Sequence, residues 1–354
     1  MKKTLLFAVA ASVALAGCVK NDPANGGAVA SDAKISFDAP AVGAVTRAVA
    51  GEIVNPYDKA EHFTVYARHY TGNYTNFNAG TPYMTAVETA YNMAGNCWDS
   101  ESAGGQAYYW PKNGTLTFQA YSPTDAALDC TPAWTASGFT FTNFTVKQNP
   151  AEHYDLMFSE RSYNKKASTG GTNYSGVDIN FKHALSSVVF KVKTGDAYAN
   201  HTITLKSIKL LNAYETGDFN QNLADQDGAM TTAAAAWENQ RSEYNAGYEV
   251  VTAEQVLTET AIDVANANPI IVLPQELAHA GANNVSIAVE YTINNGTAEI
   301  EQTGLVDIST GYNISEFELG KRYIFTLTFA LNKIYFSPEV EDWDDVEVTG
   351  EIKF

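Results

Sequence analysis

The sequence predicts an all-β protein built as two tandem β-sandwich domains. Three observations lead there: short runs of alternating apolar and polar residues from Lys34 onward, turn residues between the runs, and scarce helical periodicity. The alanine-rich segment Thr231–Tyr244 is the best helix candidate and is expected in a crossover loop. With 354 residues, 45% of them hydrophobic, the chain is long enough for two cores.

The elements follow in order. Two lysines open the chain, and an apolar run of 14 residues from Thr4 to Gly17 follows. That run is shorter than the ~20 residues of a membrane-spanning helix. A charged start, a short apolar stretch and a small-residue end describe a secretory signal peptide over 1–17. Leu15-Ala16-Gly17 then meets Cys18, an arrangement that resembles the lipobox of bacterial lipoproteins, which implies acylation of Cys18. Several acyl chains on one residue would meet the requirement for stable anchoring, so the membrane is expected as a partner through the lipid alone. Residues 18–33 are small and polar and read as a flexible tether.

Strands come next. Thr115–Tyr121 places Leu116, Phe118 and Ala120 on one face, after an Asn113-Gly114 turn whose glycine supplies positive φ. Phe139, Phe141, Phe144 and Val146 continue the style, as does Val177–Phe181. Ser187–Val192 and His201–Leu211 look like paired strands. Val285, Ile287, Val289, Tyr291 and Ile293 alternate up to the turn Asn294-Asn295-Gly296. Tyr323, Phe325, Leu327, Phe329 and Leu331 form a long inward stripe.

Charge and cysteines exclude several classes. Removing the leader takes Lys2 and Lys3 from 22 basic residues and leaves 20 against 40 acidic, net −20. Nucleic acid and anionic membrane faces need basic patches, so neither is expected as a partner. Cys97 and Cys130 remain after lipidation; they either form one disulfide, as an oxidising compartment permits, or stay as two free buried thiols.

Catalytic patterns are missing. The six histidines show no metal-ligand spacing, and there is no nucleophile elbow or phosphate-cradling loop. His183 reads as a structural histidine. Asp225-Gln-Asp227-Gly228 lacks the remaining ligands of a calcium loop. Asp342, Asp344 and Asp345 beside Trp343 read as a solvated charge run rather than the carboxylate pair of a glycosidase. The sequence therefore predicts no enzyme, no metal and no cofactor.

A set of phrases recurs in a familiar order: Ile35-x-Phe37, Thr46-Arg47-Ala48, Tyr109-Trp110-Pro111, Leu116-Thr-Phe-Gln-Ala-Tyr-Ser-Pro123, Tyr154-Asp155-Leu156-Met157, Phe181-Lys-His183-Ala-Leu-Ser186, Gly217-Asp-Phe219, Leu273-Pro-Gln275 and Val340-Glu-Asp-Trp343. Together they resemble the fimbrillin family, the pilins and pilin-like lipoproteins of type V pili on certain Gram-negative anaerobes. The resemblance implies transthyretin-like sandwiches, here bounded at 34–182 and 183–354, near the register switch at Lys182. It implies an outer-membrane lipoprotein precursor that a trypsin-like surface protease cuts, here between Arg47 and Ala48, to yield a fimbrium subunit. It also implies that loss of the N-terminal strand opens a groove that another subunit fills by strand exchange.

The residues bear on that expectation. In 34–47 the odd positions, led by Ile35 and Phe37, are apolar or small. Pro40 cannot donate to a ladder and belongs on an edge or between two short strands. Arg47 has small neighbours in a loop open to a protease; on residues alone it reads as an ordinary loop arginine, and it is the resemblance that makes it a cleavage site. At the other end Val346, Val348, Ile352 and Phe354 share one face, which makes Val346–Phe354 either a donor strand or the last strand of the second domain. Burying four such side chains gains ~1.5–3 kcal/mol each, against ~1–2 kcal/mol per ordered residue. The alternative function is a surface carbohydrate-binding lipoprotein. It would use exposed aromatic platforms, for which Trp98, Tyr109 and Trp110 are available unless they pack in the core.

Overall fold

The computed structural model describes residues 33–38, 40–42, 55–125, 128–167, 176–195, 201–223, 235–242, 247–250, 253–264, 268–280, 283–310, 312–330 and 334–343. The fold is nearly all β, and no α-helix occurs among the described residues. None of their helical turns is long and apolar enough to cross a membrane.

In the first part of the chain the strand Phe63–Tyr70 lies between Thr81–Asn92 and Thr115–Ser122. Thr115–Ser122 continues the sheet to Met157–Ser159 and Asn180–His183, while Thr81–Asn92 leads the other way to Cys97–Asp99. Leu116, Phe118 and Ala120 enter one core with Phe63, Val65 and Ala67. The opposite face of Thr115–Ser122 is buried as well, and its Tyr121 belongs to a second core. Alternation on this strand therefore marks two interiors rather than inside and outside. The polar Gln119 is tolerated there because its amide is satisfied. Its Nε2 donates to Gln221 Oε1 (2.6 Å), and its Oε1 accepts from Trp134 Nε1 (2.6 Å) and Arg161 Nε (3.0 Å).

Gly114 has the positive φ that the turn required, +84°, and a Cβ there would sit 2.0 Å from Tyr70 O. The strand Gly138–Thr145 buries Phe139, Phe141 and Phe144, and the break in its period falls at Asn143, with φ 57°.

The second part packs two sheets face to face. One centres on Ser186–Thr194, parallel to Lys321–Phe329, which in turn pairs with the edge strand Ile334–Asp342. The other runs Thr202–Leu211, Ser286–Asn294 and Glu299–Asp307. Tyr323, Phe325, Leu327 and Phe329 point inward as expected; Leu331 lies outside the described residues.

Two expectations are corrected. Ser187–Val192 and His201–Leu211 do not pair: they lie in different sheets and meet through their side chains. The alanine-rich segment carries a strand, Ala236–Arg241, rather than a helix. Trp237 packs against Phe144 and Phe219 there and donates its indole N–H to Ala184 O (2.6 Å), which outweighs alanine's helix propensity. Strand pairing also crosses positions 182/183. A four-stranded sheet takes Thr131–Thr135 and Gly138–Thr145 from one side and Thr216–Asn220 and Ala236–Arg241 from the other.

His153 ties the halves in another way. Its Nε2 donates to Lys147 O (2.7 Å) and its Nδ1 accepts from Ile271 N–H (2.9 Å), which requires the neutral ring. Burial pushes its pKa down to about 4. In the unfolded chain it titrates near 6.5, so between pH 6.5 and about 4 the unfolded state binds the extra proton and stability falls as pH falls. Urea unfolding at pH 6.5 and 4.5 should show wild type losing on the order of 2 kcal/mol more than His153→Gln, at 1.36 kcal/mol per pH unit. Equal losses would show that this histidine titrates normally in the fold.

Candidate functional site

The leading segment, residues 33–38 and 40–42, holds the described part of the strand 34–47 whose removal the sequence reading anticipates, and it does not lie at an edge. Phe37 bridges Trp98 antiparallel on one flank and Val177 parallel on the other. Phe37 N donates to Trp98 O and Trp98 N to Phe37 O, both at 2.9 Å; Ile35 N donates to Tyr108 O (2.8 Å) and Trp110 N to Ala33 O (3.0 Å). On the other flank Val177 N donates to Ser36 O (2.9 Å) and Asp38 N to Val177 O (3.2 Å). Farther on, Ala41–Val42 lies parallel to Asn180–Phe181 and antiparallel to Asn55–Pro56.

These contacts close a ring. The first sheet runs from Asn180–His183 through Thr115–Ser122 and Phe63–Tyr70 to Cys97–Asp99, and the leading segment joins those two ends. Pro40 sits buried between the bridged stretch and Ala41–Val42, the second of the two places open to it. Gly176 permits the close approach: a Cβ on it would meet Asp38 Oδ1 at 2.1 Å.

The ring interior is aromatic. Phe37 is 1% exposed and meets Phe63 and Phe118 edge-on, each with centroids 5.8 Å apart. Ile35, 4% exposed, shares this core with Trp98, Trp110 and Phe181. Tyr57 packs on Phe181 and gives its hydroxyl proton to His62 O (2.8 Å); burial holds its pKa well above the phenol range. At the surface Lys34 Nζ meets Glu101 Oε2 at 2.5 Å, and that bond raises the lysine's pKa. Both partners are about half exposed, so the pair guides the strand more than it stabilises it.

Other expected site residues fall as follows. Cys18, Arg47, Ala48, Val346, Val348, Ile352 and Phe354 lie outside the described residues, as do Asp225–Gly228. Cys130 carries a free thiol, half-buried against the second core and pushed up to about 11 by burial, so it is not bonded to Cys97. Cys97 is buried on the strand Cys97–Asp99, next to Trp98 of the first core. His183 bonds Asp155 Oδ2 through Nδ1 (2.5 Å) and stacks on Trp343 at 4.2 Å, a structural arrangement.

Among the described residues no three His, Cys, Asp or Glu side chains gather as metal ligands. Trp98 and Trp110 are buried in the ring, which removes them as a sugar platform and leaves Tyr109 exposed without them. Sequence reasoning missed Trp98, Val177 and Gly176 as partners of the leading strand. Their one signal was alternation, which does not say what a strand pairs with.

Comparison with known proteins adds the following. The sequence model described as fimbrillin-like matches residues 46–343. No curated protein sequence matches the chain. A fimbrial protein of Bacteroides vulgatus is similar in fold at 17% identity and TM-score 0.53, over 79% of this chain and 92% of that one. A candidate cell adhesion protein of Bacteroides uniformis aligns at 18% identity and TM-score 0.48, covering 88% of this chain and 98% of its own.

Proposed function

This chain belongs to the fimbrillin-like family of pilus and adhesion proteins, and we propose that it is a non-enzymatic surface-pilus subunit assembled by protease-triggered strand exchange. The leading segment carries this reading. It is hydrogen-bonded on both flanks, covers an aromatic interior and precedes Arg47 in the chain. Cutting after Arg47 severs that strand, together with the lipid at Cys18, from the body. The cut leaves 17 basic and 37 acidic residues, still net −20, so it changes topology and anchoring and leaves net charge alone. The emptied ring offers unpaired backbone groups and apolar pockets, the requirements for strand addition. The Val346–Phe354 face of a neighbouring subunit supplies the strand.

The test reads both ends of the leader. Mass spectrometry of protein from the cell surface should find polymeric material starting at Ala48. Labelling with a palmitate analogue should mark the uncut precursor and not Cys18→Ala. Polymers that retain residues 18–47, or equal labelling of both chains, would reject the reading.

A further inference from the structure

The groove left by the leading segment is a pair of adjacent pockets, one shaped by Ile35 and one by Phe37. The second is aromatic on two sides, with Phe63 and Phe118 meeting the ring edge-on. Between and beside these positions lie Ser36, which is buried, and Lys34 and Asp38, which are exposed. Pro40 is buried too. An incoming strand must therefore bring a branched aliphatic residue, then one more residue, then an aromatic. Its backbone must also offer a free N–H and C=O at the second pocket, where Phe37 exchanges both bonds with Trp98.

The pattern recurs along the chain, as in Leu116-Thr-Phe118 and Ile179-Asn-Phe181, whose side chains are already buried in the fold, and it occurs once in the tail. Ile35-Ser36-Phe37 near the start is matched by Ile352-Lys353-Phe354 at the end. Resting on the strand-exchange reading above, we propose a register for it. Ile352 and Phe354 of a second copy occupy the pockets of Ile35 and Phe37, with Gly350 at the place of Ala33. The competing register, Val346 and Val348 in the pockets, fits worse. Both registers set a charged residue at buried Ser36, Lys353 in the first and Glu347 in the second, but the second also sets Glu351 at buried Pro40 and leaves the aromatic pocket filled by valine. A buried carboxylate without a partner is costly, and an underfilled pocket loses contacts.

The register also explains an order of events. It places Glu351 where Lys34 stood, beside Glu101. The resident strand therefore brings an attractive charge to Glu101 and the incoming strand a repulsive one. The groove favours its own strand over a neighbour's tail until the resident strand is cut away, which discourages assembly before processing.

The test uses the full chain cut after Arg47 and a fluorescent peptide of residues 344–354, followed by anisotropy. Ile352→Ala and Phe354→Ala in the peptide should each weaken binding at least ~10-fold, and Val346→Ala and Val348→Ala less than ~3-fold. Glu351→Lys should tighten it several-fold at low salt, and Glu101→Lys in the protein should do the same for the native peptide; both gains should shrink at 1 M salt. If the two valines matter more than Ile352 and Phe354, the register is wrong and strand exchange stands. If no tail peptide binds while a peptide of residues 33–42 rebinds, the tail is not the occupant, and the strand-exchange reading loses its donor. If neither peptide binds, the ring does not remain open, and both fail.

Discussion

Phe37→Ala should destabilise the first core of the uncut chain by ~3–5 kcal/mol, the cost of deleting a buried phenylalanine where the surroundings do not collapse. Collapse is blocked here for a stated reason. The backbone on each side of Phe37 is bonded to a different neighbour, Trp98 on one flank and Val177 on the other. Neither flank can move inward without losing its own bonds, so Phe63 and Phe118 would face a void where the ring was. Trp98 and Trp110 lie in the same core, and their fluorescence should report this transition in urea. A loss below 1 kcal/mol would mean that the ring closes without this side chain, and the leading strand would then be a covering rather than a component.

The faces of strands were legible in the sequence and their partners were not. Leu116, Phe118 and Ala120 share an interior, as alternation said. Alternation could not say that Tyr121, on the other face, is interior too, because a strand buried on both faces and one buried on one face differ only in what covers them. The same limit governs the leading segment. Ile35 and Phe37 read correctly as an inward pair, but a small-residue strand containing Pro40 looked like an edge. Its two flanks come from residues around 98 and 177, far along the chain. Ser187–Val192 and His201–Leu211 read as partners because neighbours in sequence usually pair; a core between them wins instead. The register slip at Asn143 and the strand at Ala236–Arg241 are local versions of this, with a positive φ in one and a buried indole in the other overriding the pattern.

Arg47→Ala should abolish polymer formation, lowering it at least ~100-fold, while leaving a folded, lipid-anchored monomer. The argument starts from the ring. While the leading strand is in place, its flanks are hydrogen-bonded and its pockets filled, so no other strand has anything to gain there. On the proposed strand-exchange reading, removing it opens one acceptor groove per subunit and the tail supplies one donor strand. The two surfaces differ, so each contact is head-to-tail, and contacts of that kind extend into filaments when their rotation does not close a ring. Under that proposal the cut is the switch between two states of one chain, and Arg47 enters it only as a cleavable bond. Arg47→Lys, which a trypsin-like protease also accepts, should therefore restore polymers, whereas a merely structural role for the guanidinium would not be rescued. Unfolding of the uncut Arg47→Ala chain should match that of uncut wild type, because the variant retains the leading strand and everything it contacts. Polymers at the wild-type level from Arg47→Ala would show that the ring opens without this cut, and the strand-exchange switch would have to lie elsewhere in the chain.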